Sequence, residues 1–581
     1  MNTIFKSLEF RCIIGILACL YFLSYGRVHI EDVILHRGFS EKQIKLPISQ
    51  NMGIGERFSV SFVVSNPLNL PYDLNIIPDD CAESIVINGF HFSLNDYPDK
   101  CNFGKGFWLK DSVTALHRVG NRTHYEIFLM NNGGIAGINI FPKDSFFISS
   151  LEIIIAFLIG LILASVARRF RWNTFLLLCI IFGTFLRFAM FYAMPYTQFA
   201  YDVEGHLAYV QYIADNHSIP EAKDCWTCYH PPVYYTSAVP SFLLSGLIGY
   251  ASSSGVQAFS LALSIILLLC GLALLKRIVS GYPLQIASLL WTVWPTLLLV
   301  APRIGNDQMF YTLHILCLHC GFNYIKCGKG KFLIIAIISA ALAIWTKSTG
   351  YVTFGLAILF TLIGFIKTNQ FHRPSKAEIT AWVLLSFTLA GIALEKMVGN
   401  HVLVANATSL HSGLRVGIEA QNYLYFDLRS FLTEPYTSGW VDGLGREYFI
   451  NYAFKSSLFG EFNLVEPTTG RALASILSLS FLALIAFAVR GWWKTKLDVY
   501  HWILLIQGIA FFAALAYLRY KYPYACSNDF RYIIPVLSSF IPYVGLGVYQ
   551  QGYSQKWKVL GTITVMTFAF CSVSLMSYIF S

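Results

Sequence analysis

The sequence predicts a polytopic α-helical membrane protein, of about 13 transmembrane helices, with an exported N-terminal β-sandwich domain. Three observations predict it. Hydrophobic residues make up 55% of the 581-residue chain and charged residues only 13%, about half the ~25% typical of a soluble domain. Apolar runs of roughly twenty residues, the length that crosses a bilayer, recur from residue 149 to the end. One long stretch, 27–148, instead alternates apolar and polar residues between turn signals.

Residues 1–26 carry Lys6 and Arg11 ahead of an apolar run from Cys12 to Tyr25. They read as a signal anchor or as a cleaved signal peptide, and either would export the next part of the chain. In 27–148, Phe58, Val60, Phe62 and Val64 alternate as strand residues do, and Asn66-Pro67, Pro71, Pro78-Asp79 and Gly133-Gly134 supply turns. This pattern predicts an antiparallel sandwich. Its runs Ile85-Val-Ile-Asn-Gly-Phe90, Gly120-Asn-Arg-Thr-His-Tyr-Glu-Ile-Phe128 and Asn131-Asn-Gly-Gly-Ile-Ala-Gly137 resemble the jelly-roll sugar-binding modules appended to glycosidases.

The remainder, 149–581, is the membrane body. Candidate spans lie near 150–167, 174–194, 256–275, 284–301, 308–325, 331–347, 350–366, 379–396, 471–489, 499–518, 531–549 and 557–579. Basic clusters such as Arg168-Arg169, Lys276-Arg277, Lys326 to Lys331, Lys367 to Lys376, Arg490 to Lys496 and Lys556 to Lys558 fall between alternate pairs of spans. That side is the cytoplasm. The apolar run Val233 to Tyr250 would break the alternation if it crossed, so it is expected to be juxtamembrane or re-entrant, with exterior loops at 195–255 and 397–470. The +10 charge is explained by these loops, and no basic block suggests a nucleic-acid partner.

Cysteines divide the same way. Cys81 and Cys101 lie in the exported domain, and Cys225 and Cys228 in the next exterior loop, so one disulfide per pair is expected. A zinc site at Cys225-Trp-Thr-Cys228 competes, but zinc wants four ligands and no second such pair is present. A divalent metal is therefore not favoured, and no other cofactor is expected. Asn121, Asn216 and Asn406 begin glycosylation sequons on the expected exterior face.

The chemistry concentrates at outer span ends. Tyr201-Asp-Val-Glu-Gly-His206 comes after a span that contains Arg187, and Tyr229-His-Pro-Pro-Val-Tyr-Tyr235 comes next. Ionisable groups in or at the membrane are costly and point to a site. The competing reading is a solvated loop whose acids cap a helix. Arg303, Lys347 and Arg531 each stand at an outer span end. Arg is a bidentate fork for phosphate oxygens and Lys a point charge, although snorkelling to headgroups is the alternative for each. The aromatic-rich loop 397–470, with Tyr423, Tyr425, Phe426, Tyr436 and Trp440 among Asp427, Arg429, Asp442 and Arg446, suits a lid over a sugar ring.

These segments carry a resemblance. The acidic motif after the first span of the body, the juxtamembrane run, the x-Pro-Pro-Val-Tyr-Tyr element, Pro302-Arg-Ile-Gly-Asn-Asp307, Thr346-Lys-Ser-Thr-Gly350 and Asp529-Phe-Arg-Tyr-Ile-Ile-Pro535 together resemble the GT-C superfamily of polytopic glycosyltransferases. The pattern is most similar to bacterial relatives of protein O-mannosyltransferases and to the lipid A aminoarabinose transferases. It covers about residues 150–581. The resemblance implies a polyprenyl-phosphate-linked sugar donor, a lipid, glycan or protein acceptor, and an exterior active site in the plasma or inner membrane.

On that reading Asp202 is the general base, with Glu204 its rival, since the family has adjacent acids where this chain has Asp-x-Glu. Arg303, Lys347 and Arg531 would bind the donor phosphate. Arg187, His206, His230, Tyr234, Asn306 and Asp307 would position substrate, although Asp307 has a capping alternative. The rivals are an oligosaccharide transferase or ligase of the same superfamily, a polytopic lipid or sugar transporter, for which no internal repeat is visible, and a non-catalytic receptor.

Overall fold

The computed structural model describes residues 8–577 except 45, 47, 79–80, 102–105, 133–134, 144, 195–201, 223, 226, 248–250, 370–373, 399–415, 435–447, 461–467, 497 and 551. Tyr436, Trp440, Asp442 and Arg446 of the expected lid lie outside the described residues. The chain divides into two units, Met1–Ser165 and Val166–Ser581.

In the first unit a helix, Leu8–Gly26, leads into ten strands: β1 (His29–Arg37), β2 (Ser40–Gln43), β3 (Ile48–Asn51), β4 (Arg57–Ser65), β5 (Asp73–Pro78), β6 (Cys81–Ile87), β7 (Phe90–Ser93), β8 (Phe107–Leu109), β9 (Arg122–Met130) and β10 (Ile135–Lys143). They form two sheets, ordered β2-β1-β4-β9-β6-β7 and β3-β10-β5-β8, with every pairing antiparallel. The alternation read in β4 is the core face: Phe58, Val60, Phe62 and Val64 are buried with Leu74, Ile76, Ile85, Ile127 and Ile138 from both sheets. Cys81–Cys101 is a disulfide. After β10 the chain enters the helix Phe146–Arg169, which packs on Leu8–Gly26 through Cys19, Leu23, Ile148 and Ile155. Arg27 pairs with the largely buried Glu152, and Ser165 donates to Glu9 at 2.7 Å.

The protein is multi-pass. Among the described residues eight helices are long and apolar enough to cross a membrane, running from Ser150–Arg169 to Gln555–Met576, and Gly330–Ile344 and Gly350–Ile366 are shorter apolar helices. Thirteen spans thus remain an expectation. The helix Val233–Leu247 is followed directly by residues outside the described set, and its juxtamembrane placement remains an expectation.

Without an apolar-water driving force between helices, membrane bundles gain from close backbone approach at small residues. Gly547 and Gly491 supply it where the helices Leu537–Val548 and Thr468–Lys494 meet. A Cβ on Gly547 would collide with the Phe487 carbonyl oxygen, and one on Gly491 with that of Tyr543. Backbone cannot swing aside as a side chain can. Gly547→Ala is therefore expected to destabilise the bundle by about 1–3 kcal/mol, read as a fall in melting temperature in detergent. Gly355→Ala, whose Cβ meets nothing within 4 Å, is expected to leave that temperature unchanged or slightly higher.

Candidate active site

Five segments of the second unit converge: the helices Val203–Asn216 and Val233–Leu247, the turn 300–306 leading into Asp307–Cys327, the turn 345–349, and the 3₁₀ segment Phe530–Val536. Polar bonds fix them to one another. The Val233 amide donates to the Trp345 carbonyl at 3.1 Å, and Asn306 Nδ2 to the Thr346 carbonyl at 3.0 Å. The Gly305 amide donates to the Tyr234 hydroxyl at 3.1 Å, itself 3.0 Å from Ser260. Tyr311 donates to the Arg531 carbonyl. Turns that would otherwise expose unpaired backbone groups are locked together, and their charged side chains are presented at fixed positions.

At the centre Lys347 pairs with Asp307. Both are largely buried, with side chains 9% and 14% exposed, so neither charge is comfortable alone. The Arg303 and Arg531 guanidiniums act on the same Asp307 carboxylate. Arg531 also lies 3.5 Å from Asp529, whose carboxylate accepts the Arg531 amide at 2.8 Å. Lys347 Nζ sits 4.5 Å from the Tyr532 ring centre, and the Arg531 guanidinium 5.1 Å. Burial pulls the Lys347 ammonium below its ordinary range, and Asp307 opposes that fall. Among the described residues, Lys347, Arg531 and Arg303 thus act on Asp307, and Arg531 also on Asp529.

Histidines line the next layer. His206 Nδ1 is 2.8 Å from the Tyr235 hydroxyl, and its ring stacks against His230 at 5.7 Å. A Cβ on Gly305 would come within 3.4 Å of His206 Nε2, so the imidazole lies against the Arg303 turn. Tyr235 stacks on Tyr209 at 3.9 Å. Burial drives His206 down to about 3, and Arg303 pushes the same way. His230 likewise falls to about 3, by burial and then by His206. Both rings are neutral at physiological pH and can exchange hydrogen bonds without bringing charge.

Asp202 precedes the helix Val203–Asn216 in a left-handed conformation, φ 63°, and its side chain makes no capping bond. That backbone costs an L-residue roughly 1–2 kcal/mol, with Asp among the least penalised, and strain of this kind clusters at functional sites. Asp202 is exposed and acts electrostatically on His230. The capping alternative for Asp202 does not describe its geometry.

The other residues singled out from the sequence separate. Asn306 and Tyr234 are buried and brace the turns. Asp307, though in the first turn of its helix, pairs across the site. Glu204 is an exposed first-turn residue. Arg187 is fully buried and donates to Ser264 at 2.9 Å and to the Gly183 carbonyl at 3.1 Å; neither of these partners belongs to the cluster. Cys225 and Cys228 form a disulfide, so the zinc alternative falls. Sequence reasoning passed over Asp529, Tyr532 and Tyr235, which stand beside singled-out residues in the same motifs. A rule that neighbours of a buried cation supply its counter-charge or ring face would have found them.

No protein-family model matches the chain, and no curated protein matches it either. Among solved structures, ArnT from Cupriavidus metallidurans bound to undecaprenyl phosphate is similar at 12% identity and a TM-score of 0.42, over 66% of this chain and 62% of that one. The Archaeoglobus fulgidus oligosaccharyltransferase in its apo form gives 12% and 0.41, over 69% and 55%. Archaeal AglB from the same organism, with an inhibitory peptide and a dolichol-phosphate, gives 13% and 0.40, also over 69% and 55%. The match thus spans 62% of the first and 55% of the other two. At this level of similarity, function has to be read from the site's own residues.

The neutral histidines set a pH dependence. Their folded values lie below the ~6.5 of free histidine, so the unfolded chain binds more protons on acidification. The stability they contribute is full above about pH 6.5 and is lost as pH falls toward 3. Melting temperatures in detergent from pH 7.5 to 4.5 are expected to fall for the wild type, and to fall less for His206→Gln.

Proposed function

We propose that the protein is an integral-membrane glycosyltransferase of the GT-C type. It would move a sugar from a polyprenyl-phosphate donor to a hydroxyl acceptor on the exterior face of a plasma or inner membrane, with the β-sandwich on that same face. The observation that carries this reading is the cluster Arg303, Lys347 and Arg531 around Asp307. Basic residues in such number at the outer ends of spans run against the usual loop bias, and an oxyanion offsets the cost of their burial. The glycosyl phosphodiester of such a donor carries a single negative charge. As the sugar leaves, a second charge develops on the phosphate, and preorganised cations stabilise it most where water is excluded.

The acceptor hydroxyl must lose a proton in the same step. Asp202 is the base on this reading: its carboxylate is not spent on capping and is electrostatically linked to His230. Glu204, one residue beyond Val203, is the rival. His206 and His230, being neutral, would orient the acceptor or a phosphate oxygen through hydrogen bonds. Asn306 and Tyr234 would hold the Arg303 turn, and Tyr532 would cover the cations with a ring face. Residues of 397–470 remain proposed as the lid. A transferase or ligase acting on an oligosaccharide diphosphate is the neighbouring alternative, and the donor itself distinguishes the two.

Turnover and donor binding of the purified protein with a glycosyl polyprenyl phosphate test the assignment. Asp202→Asn keeps shape and loses basicity, so turnover is expected to fall about 10²–10⁴-fold with donor binding nearly intact. Arg303→Ala and Lys347→Ala are expected to weaken donor binding as well, because phosphate is present in ground and transition states alike. If Glu204→Gln abolishes turnover while Asp202→Asn retains it, the roles are reversed. Activity in both acidic variants would remove the base from this motif.

A further inference from the structure

The sandwich of the first unit has two ends, and one of them is built differently. β1 begins at His29, directly after the helix Leu8–Gly26, and β10 ends at Lys143, directly before Phe146–Arg169, which contains the apolar span Ser150–Arg169. Both chain crossings therefore leave the sandwich at one end. Register places other segments there too. His29 pairs with Ser65 and Ser65 with Arg122, and the Asn88 amide donates to the His124 carbonyl at 2.9 Å, so the β6–β7 turn lies at this end. Asn88 Nδ2 donates to the His117 carbonyl at 2.7 Å, and Val119 bridges to Arg122, which brings in 116–121.

This end exposes large apolar side chains. Leu116 is 83% exposed, Val119 76% and Phe90 57%. Phe90 touches His117, the neighbour of Leu116 in the chain, with ring centres 4.6 Å apart. Leu68, in the turn after β4, crowds Gly26 at the end of the first helix. Of the basic side chains near this end, Arg122 pairs with Glu31 and Asp32 and Lys110 with Asp73, while Lys143 lies over the Trp108 ring.

We infer that Phe90, Leu116 and Val119 seat the span-proximal end of the sandwich in the outer interfacial layer of the lipid bilayer, so that the domain rests on the membrane instead of standing clear of it. The occupant is lipid because the patch lies at the end of the sandwich from which both helices leave, one of them containing an apolar span, and because apolar side chains buried in the headgroup boundary are a recurrent mode of interfacial binding.

The full-length protein in nanodiscs of phosphatidylcholine and phosphatidylglycerol provides the test, with the exposed Cys327 replaced by Ser. Nitroxides are placed at Phe90→Cys, Leu116→Cys and Val119→Cys. Controls at Phe39→Cys and Ile54→Cys report the opposite end, where Phe39 and Ile54 are also exposed. Collisions with oxygen, which concentrates in lipid, are compared with those of a water-soluble nickel chelate. The three span-proximal labels are expected to shift toward oxygen, and the two controls toward nickel. Nickel accessibility at Leu116 and Val119 equal to that at Phe39 would overturn the inference. Protection from both reagents would mean that protein covers the patch, and would overturn it equally.

Discussion

The candidate site depends on one constraint: three cations are held where water is scarce. Desolvating a charge costs several kcal/mol even after relaxation, and burial of Lys347, at 7% exposure, pulls its ammonium below the ordinary range. Asp307 meets that need for Lys347 and is shared with Arg303 and Arg531. Much of the surrounding architecture keeps this carboxylate in place. Asn306, the residue before it, is bonded to the Thr346 carbonyl, and Thr346 adjoins Lys347 in the chain. The donor and acceptor of the central pair are thus fixed by their own neighbours. Removing one member of such a pair costs roughly 3–5 kcal/mol, most of it for the charge left behind.

The same economy of charge explains why the histidines are neutral. A ring packed against the Arg303 turn has two reasons not to bind a proton, its burial and the Arg303 charge. Asp202, by contrast, is exposed and in a left-handed turn. The proposed transfer would use the buried cations for the donor phosphate and this exposed carboxylate for the acceptor hydroxyl.

Much of the fold was legible in the sequence, for physical reasons. Alternation with period two marks β4 because one face must be dry, and Phe58 to Val64 are buried as that period demands. Apolar length marks the spans, although the short helices Gly330–Ile344 and Gly350–Ile366 show that hydropathy does not translate directly into a count. The site was legible in part. Arg303, Lys347 and Arg531 were visible because charges at outer span ends are conspicuous. Their common partner was ambiguous, because an Asp at a helix start looks like a cap whether or not it is one. Only the approach of residue 347 to residue 307 decides the matter, and no local pattern encodes that approach. Arg187 was conspicuous for the same reason, as an arginine inside a span, but its bond to Ser264, 77 residues away on another helix, is likewise encoded by no local pattern. Tyr532 was hidden for a third reason, since a tyrosine beside an arginine has no charge to draw notice until a lysine is seen 4.5 Å from its ring.

The central claim is that the Arg303, Lys347 and Arg531 cluster is a binding site for the phosphate of a polyprenyl-linked sugar. Mass spectrometry of lipid that co-purifies with the protein in mild detergent tests it most directly. The account predicts a glycosyl polyprenyl monophosphate bound to the wild type, and its loss from the folded Arg303→Ala and Arg531→Ala variants. A diphosphate-linked oligosaccharide in its place, or equal retention of the lipid by wild type and variants, would contradict it.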